Sequence, residues 1–198
     1  ADEARSLWNR SAGESTELPG VIAREENLGG LDVTAVEIIG EEGARALGKT
    51  PGKYFSLDLP VHFDRGAEGF ASAVGTLAAL IGRCAPESAD SVLVAALGNP
   101  DITPDALGSL AAGSILVTRH LKKSGSPGFE GFSSLALCRP GVLGTSGIET
   151  ASQVSVLCRE LAPALVIAID ALAGTEADRL GRAVQVSDAG ISPGSGVG

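Results

Sequence analysis

The sequence lacks several features by which whole classes of protein are recognised. It contains no methionine, one tryptophan and one tyrosine, and only 4% of its 198 residues are aromatic. A core must therefore be built mainly from Val, Leu, Ile and Ala side chains. No apolar run approaches the roughly 18 residues of a membrane-spanning helix, and the charged residues 1–5 are unlike a secretory signal. We expect a soluble, intracellular protein without a membrane partner.

Basic residues are scarce as well. Lys and Arg number 15 against 24 Asp and Glu, so the formal net charge is −9 at pH 7. Direct binding of nucleic acid would need a basic surface, and this composition argues against one. A basic protein remains a possible partner, because opposite charges assist encounter.

Residues that bind metals or act as nucleophiles are few. Cys84, Cys138 and Cys158 form no CxxC pair, and we interpret them as small buried hydrophobic side chains in a reducing compartment. His62 and His120 stand apart in the sequence, and no HExxH spacing occurs, so we expect no metal site. A GxSxG elbow, a Walker sequence and a GxGxxG fingerprint are all missing, and no cofactor is expected.

Two sequence patterns divide the chain. Residues 18–60 are rich in β structure: strands at 18–24 and 31–38 are joined by a turn at 27–30, a short helix covers 41–47, and a third strand covers 54–59. From residue 66 onward, helices predicted at 69–83, 104–112 and 148–161 alternate with strands predicted at 91–97, 115–119, 135–138, 164–169 and 183–186. The pattern predicts a single α/β domain over 1–198, with a mostly parallel sheet flanked by helices and an N-terminal β-hairpin region.

Two apolar strands lead directly to carboxylates. The run of six apolar residues at 164–169 has the composition of a strand buried on both faces, and it leads into Asp170. The run at 91–97 leads into a loop that contains Asp101 and Asp105. Ligands bind at the carboxyl ends of strands in open α/β sheets, so we expect Asp170 and this loop to share a crevice. Of two carboxyl groups in a dry site, one could take a proton from water while the other polarises a carbonyl, as in acid proteases.

Each of these features also has a purely structural interpretation. Thr103 fits the N-cap of the following helix and Pro104 its first position, so Asp105 could simply complement the helix dipole. Asp170 could be a strand-end acid satisfied by backbone N–H groups. The glycine-rich segment at 141–147 precedes a helix and could hold an anion or a substrate carbonyl, or its glycines could only form turns.

The helix at 69–83 places Phe70, Val74, Leu77 and Ile81 on one apolar face.

Longer motifs resemble the spore germination protease family along nearly the whole chain. In order, they are LPGV at 18–21, EGARALGK at 42–49, VAALGN at 94–99, TPDALG at 103–108, LVTRHL at 116–121, PGV at 140–142, GIET at 147–150, LVIAIDAL at 165–172 and QVSDAGISPGSGVG at 185–198. Pro100 stands where the family pattern has an aromatic residue, and Ser109 stands where it has proline. The family continues beyond the residue that matches Gly198, so the C-terminal part of its domain is expected to be absent from this chain.

The resemblance implies a fold, an activity and a set of site residues. It implies a fold like that of the hydrogenase-maturation proteases, and an endopeptidase that degrades small acid-soluble spore proteins in the cytoplasm of the germinating spore. It also implies a zymogen that loses an N-terminal pro-segment and assembles as a homotetramer. The two aspartates of the family map onto Asp105 and Asp170 as catalytic residues, and Gly147, Glu149, Asn99 and His120 are the expected substrate-binding residues. The alternatives are a metal-dependent peptidase, with Asp105, Asp170 and His120 as ligands, and an inactive form that only binds spore proteins.

Overall fold

The computed structural model describes residues 18–60, 63–66, 68–173 and 179–192. They divide into two compact units, the first within residues 18–85 and 179–190 and the second within residues 86–173 and 191–192. In chain order the elements are β1 (Val21–Leu28), β2 (Leu31–Ile38), α1 (Gly40–Leu47), β3 (Gly52–Asp58), α2 (Phe70–Cys84), β4 (Ser91–Ala96), a 3₁₀ turn (Thr103–Asp105), α3 (Leu107–Ala112), α4 (Arg119–Lys123), β5 (Ser134–Cys138), α5 (Leu143–Ser146), α6 (Thr150–Leu161), β6 (Leu165–Ile169) and β7 (Ala183–Ser187). No helix in these ranges is long and apolar enough to cross a membrane.

The first unit is an antiparallel sheet in the order β1-β2-β3-β7. The predicted β1–β2 hairpin is confirmed, and it turns at Gly29 and Gly30, whose φ angles of 59° and 82° suit glycine. Buried side chains on one sheet face, Val33, Phe55 and Leu57, pack with Leu80 of α2. A second cluster, formed by Val36, Ile38, Leu47 and Tyr54, joins the sheet to α1.

The predicted contact face of α2 is wrong. The helix buries Ala73, Thr76 and Leu80, whereas Val74, which was expected in the core, is 53% exposed. Apolar residues occur all round this helix, so their spacing does not select one face. Hydrogen bonds to the hairpin select it instead: Thr76 Oγ1 donates to the Leu28 carbonyl at 3.0 Å, and Ser72 Oγ donates to the Gly29 carbonyl.

Two predicted strands also need correction. The last strand, β7, does not extend a parallel sheet, because it pairs antiparallel with β3 through residues 183–187. Residues 115–119 form no strand: α4 begins at Arg119, and the residues before it have no regular structure. Thr118 determines this path, because its Oγ1 donates to the Ser133 carbonyl at 2.6 Å and accepts the Leu135 N–H at 2.9 Å.

The second unit contains a parallel sheet of three strands in the order β5-β4-β6. The α/β class is therefore confirmed, but the strands form one parallel and one antiparallel sheet instead of a single mostly parallel one. Residues 92–96 of the central strand β4 are all buried. The prediction of burial on both faces is wrong for β6, where Val166 is 41% exposed. Among the described strands, β6 pairs only with β4, so it lies at the edge of this sheet. Fewer elements pack around an edge strand than around the central strand β4.

The chain reverses direction across this parallel sheet. It passes from β4 to β5 on one side and then crosses back over β4 to reach β6. Parallel crossovers are almost always right-handed, so connections that run in opposite directions place α3 and α6 on opposite faces of the sheet. Both helices contact β4, which explains why the central strand is buried on both sides.

Candidate active site

The carboxyl ends of β4 and β6 are joined just before Asp170. Leu97 follows β4, and its N–H donates to the Ile169 carbonyl at 2.8 Å. Asp170 follows Ile169 directly, so its carboxyl group emerges at the same edge of the sheet as the loop after β4. The sequence predicted this placement from the positions of the acids at the ends of two apolar strands.

The loop after β4 folds back so that Asp105 lies against its beginning. Asp105 Oδ2 accepts a hydrogen bond from the Asn99 N–H at 2.7 Å. Gly98 has a φ of 92°, and a Cβ atom there would lie 2.0 Å from the Asp105 carbonyl oxygen. Gly98 is therefore required by the close approach of the two ends of this loop, and the approach holds Asp105 at the carboxyl end of β4.

The predicted cap at Thr103 is wrong. The 3₁₀ turn begins at Thr103 itself, it is preceded by Ile102, and no side chain caps it. The Asp105 carboxylate instead bonds across the loop to Asn99. The side chain of Asn99, an expected substrate-binding residue, has its Oδ1 accepting the Asp101 N–H at 3.0 Å.

The surroundings of Asp170 change the acidity of its carboxyl group. Burial raises its pKa above the usual range, a hydrogen bond from the Ala171 N–H opposes the rise, and the negative charge of Asp105 adds to it. The Ala171 N–H lies 2.9 Å from Asp170 Oδ1, so this acid does have one of the backbone partners that a structural role predicts. The charge of Asp105 also acts on it, so the two carboxyl groups lie within electrostatic reach of each other.

Gly108 sets the distance of α3 from the two strand ends. A Cβ atom at this position would lie 2.4 Å from the Leu97 carbonyl oxygen and 2.5 Å from the Ile169 carbonyl oxygen. A side chain larger than hydrogen would therefore push α3 away from the edge that carries Asp170. The last glycine of the TPDALG motif is thus explained by packing.

The segment between β5 and α6 reaches the same edge, because β5 is parallel to β4. It contains the single turn α5, and Gly147 ends that turn with a φ of 70° and donates its N–H to the Leu143 carbonyl at 2.8 Å. No atom within 4 Å would meet a Cβ at Gly147, so this position is open. Glu149 is exposed and precedes α6, and its side chain does not cap the helix.

Two side chains of α6 that were not among the expected site residues brace this segment. Thr150 Oγ1 donates to the Gly141 carbonyl at 3.0 Å. Gln153 Nε2 lies 3.2 Å from the Pro140 carbonyl, 3.1 Å from the Ile148 carbonyl and 3.2 Å from Ser146 Oγ. The only signal in the sequence was a polar residue near the start of a helix that follows a glycine-rich loop.

The contacts that anchor the helix of His120 do not bring this residue to the two aspartates. Exposed His120 lies in α4, which follows the bonds of Thr118 to Ser133 and Leu135 at the amino end of β5. Asp105 and Asp170 lie at the carboxyl ends of the strands. His62 falls outside the described residues.

The structure forms no cluster of three or more His, Cys, Asp or Glu side chains suited to a metal ion within residues 18–60, 63–66, 68–173 and 179–192. All three cysteines are free thiols and partly buried. Burial raises the pKa of Cys84, which packs against the core of the first unit, and it also raises the pKa of Cys138. Their surroundings agree with small apolar side chains better than with activated nucleophiles.

Comparison with known proteins identifies the family. A family model described as germination protease matches residues 1–198. The chain is 42% identical over 198 residues to the germination protease of Caldanaerobacter subterraneus subsp. tengcongensis, a match that covers 99% of this chain and 60% of that protein. It is also 42% identical over 205 residues to that of Clostridium perfringens, covering 100% of this chain and 61% of the relative, and 37% identical over 204 residues to that of Bacillus cereus, covering 100% and 55%. The chain thus spans about 60% of the length of the first two of these curated relatives, and by the match along its whole length it belongs to the germination protease family.

Proposed function

We propose that this chain carries the catalytic residues of an endopeptidase that hydrolyses small acid-soluble spore proteins during germination, in the cytoplasm of the spore. Membership of the germination protease family supports a peptidase. The observation that carries the proposal is the placement of Asp105 and Asp170 at the carboxyl ends of two adjacent strands, which the Leu97–Ile169 and Asn99–Asp105 hydrogen bonds hold. The raised pKa of Asp170, caused by burial and by the charge of Asp105, supports it.

The raised pKa of Asp170 suggests the roles of the two carboxyl groups. Asp170 holds a proton more tightly than an ordinary aspartate, so in the proposed mechanism it is the acid that polarises the carbonyl of the scissile peptide bond. Asp105 takes a proton from the attacking water, and the water oxygen bonds to the carbonyl carbon. The tetrahedral species then collapses as the C–N bond breaks and a proton passes to the leaving amine.

The remaining residues would hold the substrate. Gly147 leaves an open approach, and the uncapped start of α6 beside Glu149 offers N–H groups to a substrate carbonyl. Asn99 shapes the loop that carries Asp105. His120, near the amino end of β5, would contact only a more distant part of a protein substrate.

The assembly and maturation of the whole protein are further parts of the proposal. We expect a zymogen that loses an N-terminal pro-segment, a homotetramer, no direct binding of nucleic acid, and a complete fold like that of the hydrogenase-maturation proteases. Sedimentation velocity of the full-length protein measures the assembly, and a monomer at micromolar concentration would contradict the tetramer.

Substitution of each aspartate tests the mechanism. Asp105→Asn and Asp170→Asn are each expected to lower kcat for cleavage of a small acid-soluble spore protein by about 10²–10⁴-fold, since each removes one partner of a general acid–base pair. Asn retains an oxygen that can accept the Asn99 or Ala171 N–H, so the fold should persist. Asp90→Asn is the control, because this exposed carboxylate precedes β4 at the opposite edge of the same sheet.

The other outcomes identify the alternatives. Full activity in either aspartate variant would overturn the dyad. Loss of wild-type activity in a chelator, with recovery in a divalent ion, would favour a metal-dependent peptidase. Capture of the spore protein without cleavage by the full-length, processed protein would favour a form that only binds.

A further inference from the structure

We propose that Gln153 is a positioning residue, which holds the segment between β5 and α6 in the shape that meets the substrate. We call this segment, residues 139–149, the β5–α6 segment. The inference rests on the proposed function, because it assigns a residue to the same site. Neither the motifs nor the two aspartates point to Gln153.

The contacts of Gln153 join the two ends of the β5–α6 segment. Its Nε2 approaches the carbonyl of Pro140, just after β5, and the carbonyl of Ile148, just before α6. It also approaches Ser146 Oγ, at the end of α5. A single primary amide nitrogen with two N–H groups thus ties together three points that are up to eight residues apart in sequence.

Ser146 extends this network to the end of the segment. Its Oγ lies 3.0 Å from the Ile148 carbonyl oxygen and 3.1 Å from that of Val142, so its single hydrogen can be donated to either, and it accepts the Ile148 N–H at 3.2 Å. Gly147, with its φ of 70°, lies between these two residues. The backbone on both sides of Gly147 is therefore held by groups that Gln153 contacts.

The topology explains why the shape of this segment matters. Ligand crevices in open α/β sheets form at the carboxyl ends of two adjacent strands whose connections leave in opposite directions. β4 and β5 are such a pair: the chain leaves β4 toward β5, and it leaves β5 back across β4 toward β6. Two loops lie at this point: the loop after β4, which holds Asp105, and the β5–α6 segment. Gln153 therefore holds the loop that would form one wall of the crevice, and the hydrogen bond between Asn99 and Asp105 holds the loop that would form the other wall.

Removal of the donor is the first test, with full-length protein and a small acid-soluble spore protein as substrate. Gln153→Leu is expected to lower kcat by about tenfold or more, because misplacement by about 1 Å can cost on the order of 10²-fold. KM and the urea midpoint should change little. Gln185→Leu is the matched control, since that side chain is partly buried in β7 and its Nε2 has no hydrogen-bond partner among the described residues. A wild-type kcat in Gln153→Leu, with active wild type, would overturn the inference.

A pH profile separates positioning from a general loss of packing. Ionised Glu has acceptors only and would face three oxygen atoms, whereas protonated Glu regains one O–H donor. The ratio of the kcat of Gln153→Glu to that of wild type is therefore expected to rise as the pH falls from 8 to 5. A ratio that stays flat would contradict the role of the donor.

Amide exchange tests the inference even if the proposed function fails. In wild type the Gly147 and Ile148 N–H groups are hydrogen-bonded, so their exchange measured by NMR should be slowed. Gln153→Leu should accelerate exchange at both positions by several fold and leave β4 unchanged. Unchanged exchange at Gly147 and Ile148 would overturn the inference, whereas wild-type protein that cleaves no spore protein would overturn the proposed function alone.

Discussion

The acidity of Asp170 is the property of a single residue on which the proposed chemistry depends. Its identity and its place after an apolar strand are visible in the sequence. The perturbation depends on burial and on Asp105, which is 65 positions away and is brought close by the pairing of β4 with β6. Asp170 has one backbone partner, as a structural strand-end acid would, and it also lies near a second carboxylate, as a member of a catalytic pair would. The two interpretations of Asp170 that the sequence allowed therefore do not exclude each other.

The pKa of Asp170 predicts a pH dependence of folding stability. Its pKa is higher in the folded protein than the unfolded value of about 3.9, so the native state binds this proton more tightly. The resulting stabilisation is complete below the unfolded pKa and is lost as the pH rises through the folded pKa. Asp170→Asn should therefore be at least as stable as wild type at pH 7, and this advantage should shrink as the pH falls through the folded pKa toward about 4, the unfolded value.

Urea unfolding between pH 3.5 and 7.5 measures this effect. Asp105→Asn should remove part of the pH dependence, because it deletes only the contribution of the neighbouring charge. Asp90→Asn should leave unchanged the pH dependence of stability that Asp170 causes. An Asp170→Asn variant that is less stable than wild type at pH 7, by the same amount at every pH, would show that the carboxylate is a net stabilising group.

At the scale of elements, α3 shows how packing accounts for a glycine in a helix. Gly108 lies where a Cβ would meet backbone atoms of both β4 and β6. The TPDALG motif predicted a short helix here, and the structure divides it into a 3₁₀ turn and α3. The sequence placed the helix correctly, but its contact with the strand ends depends on how the β4 and β6 edges meet.

Gly108→Ala is expected to destabilise the protein by about 1–3 kcal/mol, since the backbone of Leu97 cannot move aside as a flexible side chain could. The matched control is Gly75→Ala in α2, where no atom lies within 4 Å of the added methyl group. That change should stabilise the protein by roughly 0.5–1 kcal/mol through helix propensity. Chemical denaturation of both variants measures the difference, and equal effects would refute the close packing at Gly108.

Two of the wrong predictions, the contact face of α2 and the strand at 115–119, share one physical cause. The apolar residues of α2 surround the helix, and Thr76 and Ser72 decide which side meets the hairpin. Residues 115–117 have the composition of a strand, but Thr118 is bonded at the start of β5 and the chain turns into α4. In both places, a few hydrogen bonds between distant residues outweigh local propensity.

At the scale of the whole molecule, each unit has its own organisation. Leu80 of α2 is fully buried among Val33, Phe55 and Leu57, all within the first unit. The second unit is organised around the buried strand β4. A substitution in the core of the first unit should therefore destabilise that unit first.

Leu80→Ala is expected to cost about 2–5 kcal/mol, the range for a large side chain removed from a packed core. Hydrogen exchange should increase more for amides of β2 and β3 than for those of β4. The control is Val74→Ala in the same helix, which should change stability by no more than about 0.5 kcal/mol because Val74 is half exposed. Equal loss of protection in both sheets would mean that the chain unfolds as one cooperative body.

The sequence by itself determined the α/β class, the hairpin, most helices and strands, the family, and the positions of Asp105 and Asp170 after apolar strands. These features follow from local patterns in the sequence: apolar runs, glycines at turns and long motifs in a fixed order. Only the tertiary structure decided that the strands form two sheets, that Asp105 is held by Asn99 instead of capping a helix, and that Gln153 braces the β5–α6 segment. Each of these depends on hydrogen bonds and pairings between residues that are distant in the chain or in separate elements, and such contacts leave no periodic signal in the sequence.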